Sequence, residues 1–162
     1  MLTLIKNKYF PALLVLMAAT ILSGLLVIFR VHYTGYLMYL FLVWNLFLAW
    51  IPLGFAMNAN QSKNKYMAAA AFIAWLIFFP NTHYILTDLF HLKLRHGVPL
   101  WFDLLLLLVA SWTGSMLGFL SLLEIHHLLR KWLSRAKTWL IILGIIALES
   151  FGIYIGRYER FN

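Results

Sequence analysis

The chain has no cysteine, which excludes a disulfide framework, a thiolate metal site and a thiol nucleophile. Acidic residues are almost as scarce. Five Asp and Glu stand against thirteen Lys and Arg, and charged residues make up 11% of the 162 positions, where a soluble domain carries about 25%. That composition excludes a soluble monomer. A glycine-rich phosphate loop followed by Lys, a nucleophile elbow and a His-Glu-x-x-His zinc motif are also missing, so ATP hydrolysis is excluded and any catalysis falls to His, Asp, Glu, Ser or Thr. The paired broken helices and internal symmetry of many secondary transporters are absent, and alternating access from five crossings would need oligomerisation. With no repeat, low-complexity tract or linker, residues 1–162 read as a single integral membrane domain.

What is present is apolar: 64% hydrophobic and 17% aromatic residues, arranged in runs of the length that a hydrocarbon core of about 30 Å requires. The runs predict an all-α, polytopic membrane helix bundle with five crossings: Tyr9 to Phe29, Tyr36 to Met57, Tyr66 to Phe79, Leu100 to Leu123 and Thr138 to Gly156. The first run is too long for a signal-peptide core and has no small-x-small cleavage site before the next polar stretch. The third, at fourteen residues, reaches only about 21 Å, which puts Pro80 and the residues after it below the far interface.

The net charge of +8 lies in short clusters between the apolar runs, so it sets membrane orientation and does not build a nucleic-acid surface. One side carries eight basic residues (Lys6, Lys8, Lys63, Lys65, Arg130, Lys131, Arg135, Lys137) and the other five (Arg30, Lys93, Arg95, Arg157, Arg160). The N-terminus is therefore expected in the cytoplasm. The loop from Arg130 to Lys137 is expected to touch anionic lipid, and the adjacent His126 and His127, about 100° apart on a helix, are not expected to share an ion.

Pro80 to Leu92 opens on Pro and Asn and stops near Gly97 and Pro99, which predicts a short interfacial or re-entrant helix over Asn81 to Arg95. At helical spacing His83, Thr87, Asp88 and His91 share an arc of about 140°. One reading is a metal or proton-transfer site facing a cavity; the other is an interfacial helix whose His and Asp meet headgroups and water. Asp103 stands three residues into the fourth crossing, where the helix dipole favours a carboxylate. It either fills that role alone or joins Asp88 and His91 as oxygen and nitrogen ligands for a divalent metal. Glu149 lies twelve residues from Lys137 and eight from Arg157, deep enough that a charged, lipid-facing carboxylate would cost roughly 2 to 3.5 kcal/mol. It is expected to face the interior, with Asn45 or the fourth crossing as partner. Gly114 with Gly118, and Gly152 with Gly156, form small-residue stripes whose partner is either another helix of the chain or a second copy in a homo-oligomer.

The strings Asn45 to Pro52, Pro80-Asn81, Tyr84 to Leu89, His91-Leu92, Pro99 to Asp103 and Gly152 to Arg157 occur in the order of the signature blocks of a bacterial multi-pass membrane family, domain of unknown function 1361. The sequence resembles that family over roughly residues 40 to 162. The resemblance implies a polytopic inner-membrane protein of bacteria and no biochemical activity. Its motif positions fall on Asn45, Asn81, Tyr84, Thr87, Asp88, His91, Trp101, Asp103 and Arg157, and His83 falls where the motif varies. It also implies a further hydrophobic segment beyond Asn162, so the chain is expected to be C-terminally short.

Two functions are expected. In the first, an interfacial enzyme acts on a lipid-linked or cell-envelope substrate, with Asp88 and His91 as general base or metal ligands, Asp103 as acidic partner and Arg157 as anion clamp. In the second, the same residues form a hydrogen-bonded polar plug in a non-enzymatic transporter subunit or assembly partner. Topology places Asp88, His91, Asp103 and Arg157 at one end of the bundle, where they are expected to gather.

Overall fold

The computed structural model describes residues 2–95 and 97–159. Among them the chain is all-helical: α1 (Leu2–Thr34), α2 (Leu40–Gln61), α3 (Lys65–Phe78), α4 (Pro80–Tyr84), a 3-10 segment (Ile85–His91), α5 (Leu100–Arg130), α6 (Arg135–Tyr154) and a closing π-helical turn (Ile155–Glu159). Five stretches are long and apolar enough to cross a membrane: Tyr9–Thr34, Leu40–Gln61, Lys65–His91, Leu100–Arg130 and Arg135–Arg157. The protein is a polytopic membrane helix bundle. Loops are short because each antiparallel neighbour needs only a few residues to turn back.

The third crossing differs from expectation. Fourteen residues before Pro80 do not end it, because the backbone stays in the right-handed helical region at Phe79, Tyr84 and Ile85, and the span runs 27 residues to His91. The short helix expected over Asn81 to Arg95 is present as α4 and the 3-10 segment, and it continues the third crossing instead of lying apart from it. Pro80 removes the backbone donor that would reach the Leu76 carbonyl, and in the turn around it two side chains bond back to the main chain: Asn81 Nδ2 donates to the Phe78 oxygen at 3.0 Å and Thr82 Oγ1 to the Phe79 oxygen at 2.8 Å. Further on, Ser111 Oγ of α5 donates to the Ile85 oxygen at 3.0 Å, where the 3-10 winding begins.

Helix α5 is the axis of the bundle. In its most apolar window 56% of residues are buried, against 17% for α1 and for the α6 crossing, so interior chemistry must be read along α5. Lipid is as apolar as leucine and drives no helix association by itself, so close backbone approach and polar bonds hold the helices together. The approach occurs at Gly114 and Gly118. A β-carbon on Gly114 would stand 2.6 Å from Ile85 Cγ2, and one on Gly118 would stand 2.6 Å from Thr82 Oγ1 and 2.7 Å from His83 Cε1. Gly152 and Gly156 face Pro80 and Tyr84 in the same manner, at 3.5 and 3.4 Å. Of the two partners expected for these stripes, the chain's own residues 80–85 are the ones that pack on Gly114/Gly118 and on Gly152/Gly156. Pro80 with Gly152 and Tyr84 with Gly156 also show that α4 and α6 run parallel.

Candidate functional site

Four of the five acids of the chain lie inside. Asp88, Asp103, Glu124 and Glu149 are 2%, 2%, 3% and 7% exposed, and they sit at successive depths along α5. Asp103 and Glu124 are separated by about 31 Å of helix. Each acid has a different set of partners, and the partners decide what it can do.

At the α5 N-terminus Asp103 is clamped. Arg30 of α1 donates from Nε to Oδ1 at 2.7 Å and from Nη2 to Oδ2 at 3.3 Å, a two-pronged pair with both side chains buried. Tyr39 donates its hydroxyl to Oδ2 at 3.2 Å, Arg95 donates to the Tyr39 hydroxyl at 2.9 Å, and the same Arg95 nitrogen lies 3.7 Å from Oδ2. To aim inward, Tyr39 takes a left-handed backbone (φ 65°), a conformation that costs a bulky residue on the order of 1 to 3 kcal/mol and persists only where surroundings enforce it. Burial first, and the Asp103 charge second, push the Tyr39 phenol above its ordinary value of 10.0, with Arg95 opposing. Both oxygens of Asp103 are engaged by these donors. Sequence reasoning missed Arg30, Tyr39 and Arg95 as its partners; the signal available was that both arginines lie on the Asp103 side of the topology.

The 3-10 segment carries Asp88 to α2, where Asn45 Nδ2 donates to Oδ2 at 2.8 Å. His91 Nδ1 lies 3.9 Å from Asp88 Oδ1, too far for a hydrogen bond, and is buried without a hydrogen-bond partner although the ring is 44% exposed and rests on Phe41. Arg157 stacks over Phe90 at 5.6 Å and lies within Coulombic reach of Asp88. Arg95 also reaches the His91 carbonyl, at 3.5 Å, and so links this pair to the Asp103 clamp. Thus Asp88, His91 and Arg157 share a neighbourhood, while Asp103 stands in its own. Among the described residues no three His, Asp or Glu side chains are placed to hold one ion, so the expected Asp88, His91 and Asp103 ligand set does not assemble.

The third station was not anticipated. His83 Nδ1 meets Glu149 Oε1 at 2.6 Å, with Thr82 Oγ1 at 3.1 Å from the same nitrogen. Phe79 and Phe119 present their edges or faces to the imidazole at 5.9 and 5.7 Å, enclosing the pair in aromatic carbon. Glu149 does face the interior, yet its partner is His83 of α4, and neither Asn45 nor α5 supplies it. The expected polar stripe also divides. A 3-10 winding advances 120° per residue instead of 100°, so Asp88 and His91 turn toward α2 while His83, on α-helical winding, faces α6. A clue was present in the spacing: Glu149 lies three residues before Gly152, on the α6 face that packs against Pro80.

The remaining motif residues lie outside these pairs. Thr87 Oγ1 donates back to the Tyr84 carbonyl at 2.7 Å, the Tyr84 ring covers Gly156, Asn81 caps Phe78, and Trp101 is exposed. Between the His83–Glu149 pair and the opposite end, buried Trp75 and Phe79 stack at 4.5 Å, and Trp75 Nε1 donates to Ser121 Oγ at 3.2 Å. Beyond them Glu124 accepts from Asn60 Nδ2 at 2.6 Å, and Lys131 donates to the Asn60 carbonyl at 2.6 Å.

A family model described as a protein of unknown function (DUF1361) matches residues 44–162. No curated protein and no solved structure matches the chain.

Proposed function

Because the chain belongs to the DUF1361 family, whose description assigns no activity, we propose its function from the interior geometry: a non-enzymatic transport component that carries protons through two acid–imidazole pairs. The observation that supports this reading is the pairing itself. Asp88 and Glu149 are buried at membrane depth, and among the described residues the base within 4 Å of each is a histidine, not a lysine or arginine. Ionisable groups so placed mark proton and ion pathways in membrane proteins. In this mechanism protons exchange at half-exposed His91 and Asp88 and at the His83–Glu149 pair, and displacement of the Trp75 and Phe79 rings opens that pair toward the Glu124 end. The membrane is the plasma membrane and the N-terminus is cytoplasmic, in keeping with the excess of Lys and Arg at the Glu124 end.

The enzyme alternative has one observation in its favour, the unpartnered His91 Nδ1 beside Asp88 and Arg157. In that reading His91 and Asp88 are the general base and Arg157 clamps the phosphate or carboxylate of a lipid-linked substrate, with a divalent metal held by no more than Asp88 and His91. Asp103 takes no part, since its oxygens are already engaged. The proton reading is preferred because it uses Glu149 and His83, which an interfacial substrate would not reach.

Full-length protein in liposomes with an entrapped pH-sensitive dye tests it. Under an imposed potassium diffusion potential, the wild type is expected to take up protons faster than protein-free vesicles, and Glu149→Gln or Asp88→Asn to return the rate to the protein-free level. An equal rate in wild type and both variants overturns the proposal.

A further inference from the structure

At the Glu124 end, α3 begins at Lys65 and α5 ends at Arg130, and between them lies an open groove of about 430 Å³. Its mouth carries Lys63, Lys65 and Lys131, and among the described residues no acid lines it. Its wall is Ala68, Phe72, Ile73, Leu128 and Trp132 among others. The groove exists because the first turns of α3 are a run of alanines, from Ala68 to Ala71, too small to seal against the leucines of α5. Exposed Trp132, at 78%, is the kind of side chain that seats at a membrane interface.

We infer that this groove binds one anionic phospholipid of the adjacent leaflet, its headgroup phosphate on the three lysines and an acyl chain along the alanine and leucine wall. Charge complementarity selects the occupant. Three ammonium groups at the mouth with no carboxylate in the lining call for an anion, and an apolar wall running from them toward the hydrocarbon calls for an acyl chain. One of the cations is prearranged: Lys131 is held by the Asn60 carbonyl at 2.6 Å, and buried Glu124 holds the Asn60 amide. The cavity at the opposite end, lined by Arg30 and Arg95, lacks this property, because Asp103 already partners both cations. The site uses Lys131 and Trp132 of the loop from Arg130 to Lys137 but not its other cations: Arg130 donates to the Leu133 carbonyl at 3.0 Å, and Arg135 and Lys137 do not line the groove.

The test is thermal unfolding of the full chain in a neutral detergent, titrated with phosphatidylglycerol, phosphatidylcholine or sn-glycerol 3-phosphate. Phosphatidylglycerol is expected to raise the midpoint saturably, and the other two are not. Lys63→Gln with Lys65→Gln, both on the exposed rim, is expected to weaken the apparent affinity by about 25-fold, at about fivefold per lysine. Adding Lys131→Gln is expected to abolish saturation, and Arg at all three positions to restore it. Ala69→Phe, which fills the groove and leaves its charge intact, is expected to weaken phosphatidylglycerol as well. The inference is overturned if the rim double variant binds as tightly as wild type, if Arg135→Gln with Lys137→Gln weakens binding equally, or if sn-glycerol 3-phosphate binds as tightly as the lipid.

Discussion

Asp88 and Asp103 are buried to the same 2% and lie in the same half of the bundle, yet their surroundings differ completely. Asp103 is gripped by Arg30 and Tyr39, with Arg95 at 3.7 Å, so its charge is matched and its oxygens are engaged. Asp88 has one amide donor and a nearby imidazole. Two buried carboxylates of equal exposure therefore serve opposite ends. The first is a rivet joining α1, the α2 entrance and the loop after His91 to α5. The second, with the His83–Glu149 pair below it, is where the proposed proton exchange would take place. Burial alone does not mark function in a membrane protein; the charge of the partner does.

The comparison is broken most severely at the rivet. Asp103→Leu leaves Arg30 and Arg95 facing a low-dielectric interior, and loss of one member of such a buried pair costs about 3 to 5 kcal/mol. Reversible unfolding in mixed detergent is expected to show that loss, and Arg30→Met in the same chain is expected to restore most of it. A rescue failure would mean that the clamp is held by Arg95 instead.

A second, smaller effect is expected where α4 meets α5. Gly118→Ala places a methyl 2.6 Å from Thr82 Oγ1 and 2.7 Å from His83 Cε1, so stability is expected to fall by about 1 to 3 kcal/mol. Because that methyl also displaces the ring on Glu149, dye-reported proton uptake should fall with it. Gly24→Ala, with nothing within 4 Å, is the control and should hold or slightly gain stability.

Asp88→Asn sharpens the contrast. The amide keeps the size and loses only part of one hydrogen bond, so unfolding is expected to shift by no more than about 1 kcal/mol while proton uptake disappears. A loss of stability as large as that of Asp103→Leu would make Asp88 a second rivet.

The smallest effect is a titration. Burial and the Asp103 charge raise the Tyr39 phenol above 10.0, so folding holds its proton more tightly than the unfolded chain does. Stability from this group is complete below pH 10.0 and is lost as pH rises through the folded value. Relative to Tyr39→Phe, the wild type should lose stability above that pH, and ultraviolet difference spectra should show one phenolate fewer until the clamp opens.

Much of this was legible in the residues. Glu149 had to face inward because its depth made a lipid-facing charge costly, and it does. Asp88 and His91 are joined by a three-residue spacing that brings them together in either helical winding. His83 escaped because its partner lies 66 positions away on α6, and the cations of Asp103 escaped because Arg30, Arg95 and Arg157 are equivalent in a count of charges per side. The end expected at Pro80 does not occur, because the backbone stays right-handed helical at Phe79, Tyr84 and Ile85, with Asn81 and Thr82 bonding back to the Phe78 and Phe79 carbonyls.

What the sequence by itself determined is the class of object: run length against bilayer thickness dictates five helical crossings, and scarcity of charge dictates that lipid, not water, is the solvent. What only the tertiary structure decided is which acid meets which base. That choice depends on helix rotation and depth, set by close contacts such as Gly118 on Thr82 and by the tighter winding after Tyr84. A turn of about 20° per residue changes nothing in an apolar pattern, but it moves a carboxylate from one neighbouring helix to another, because charged partners interact only at contact distance while hydrophobic faces tolerate any neighbour that excludes water.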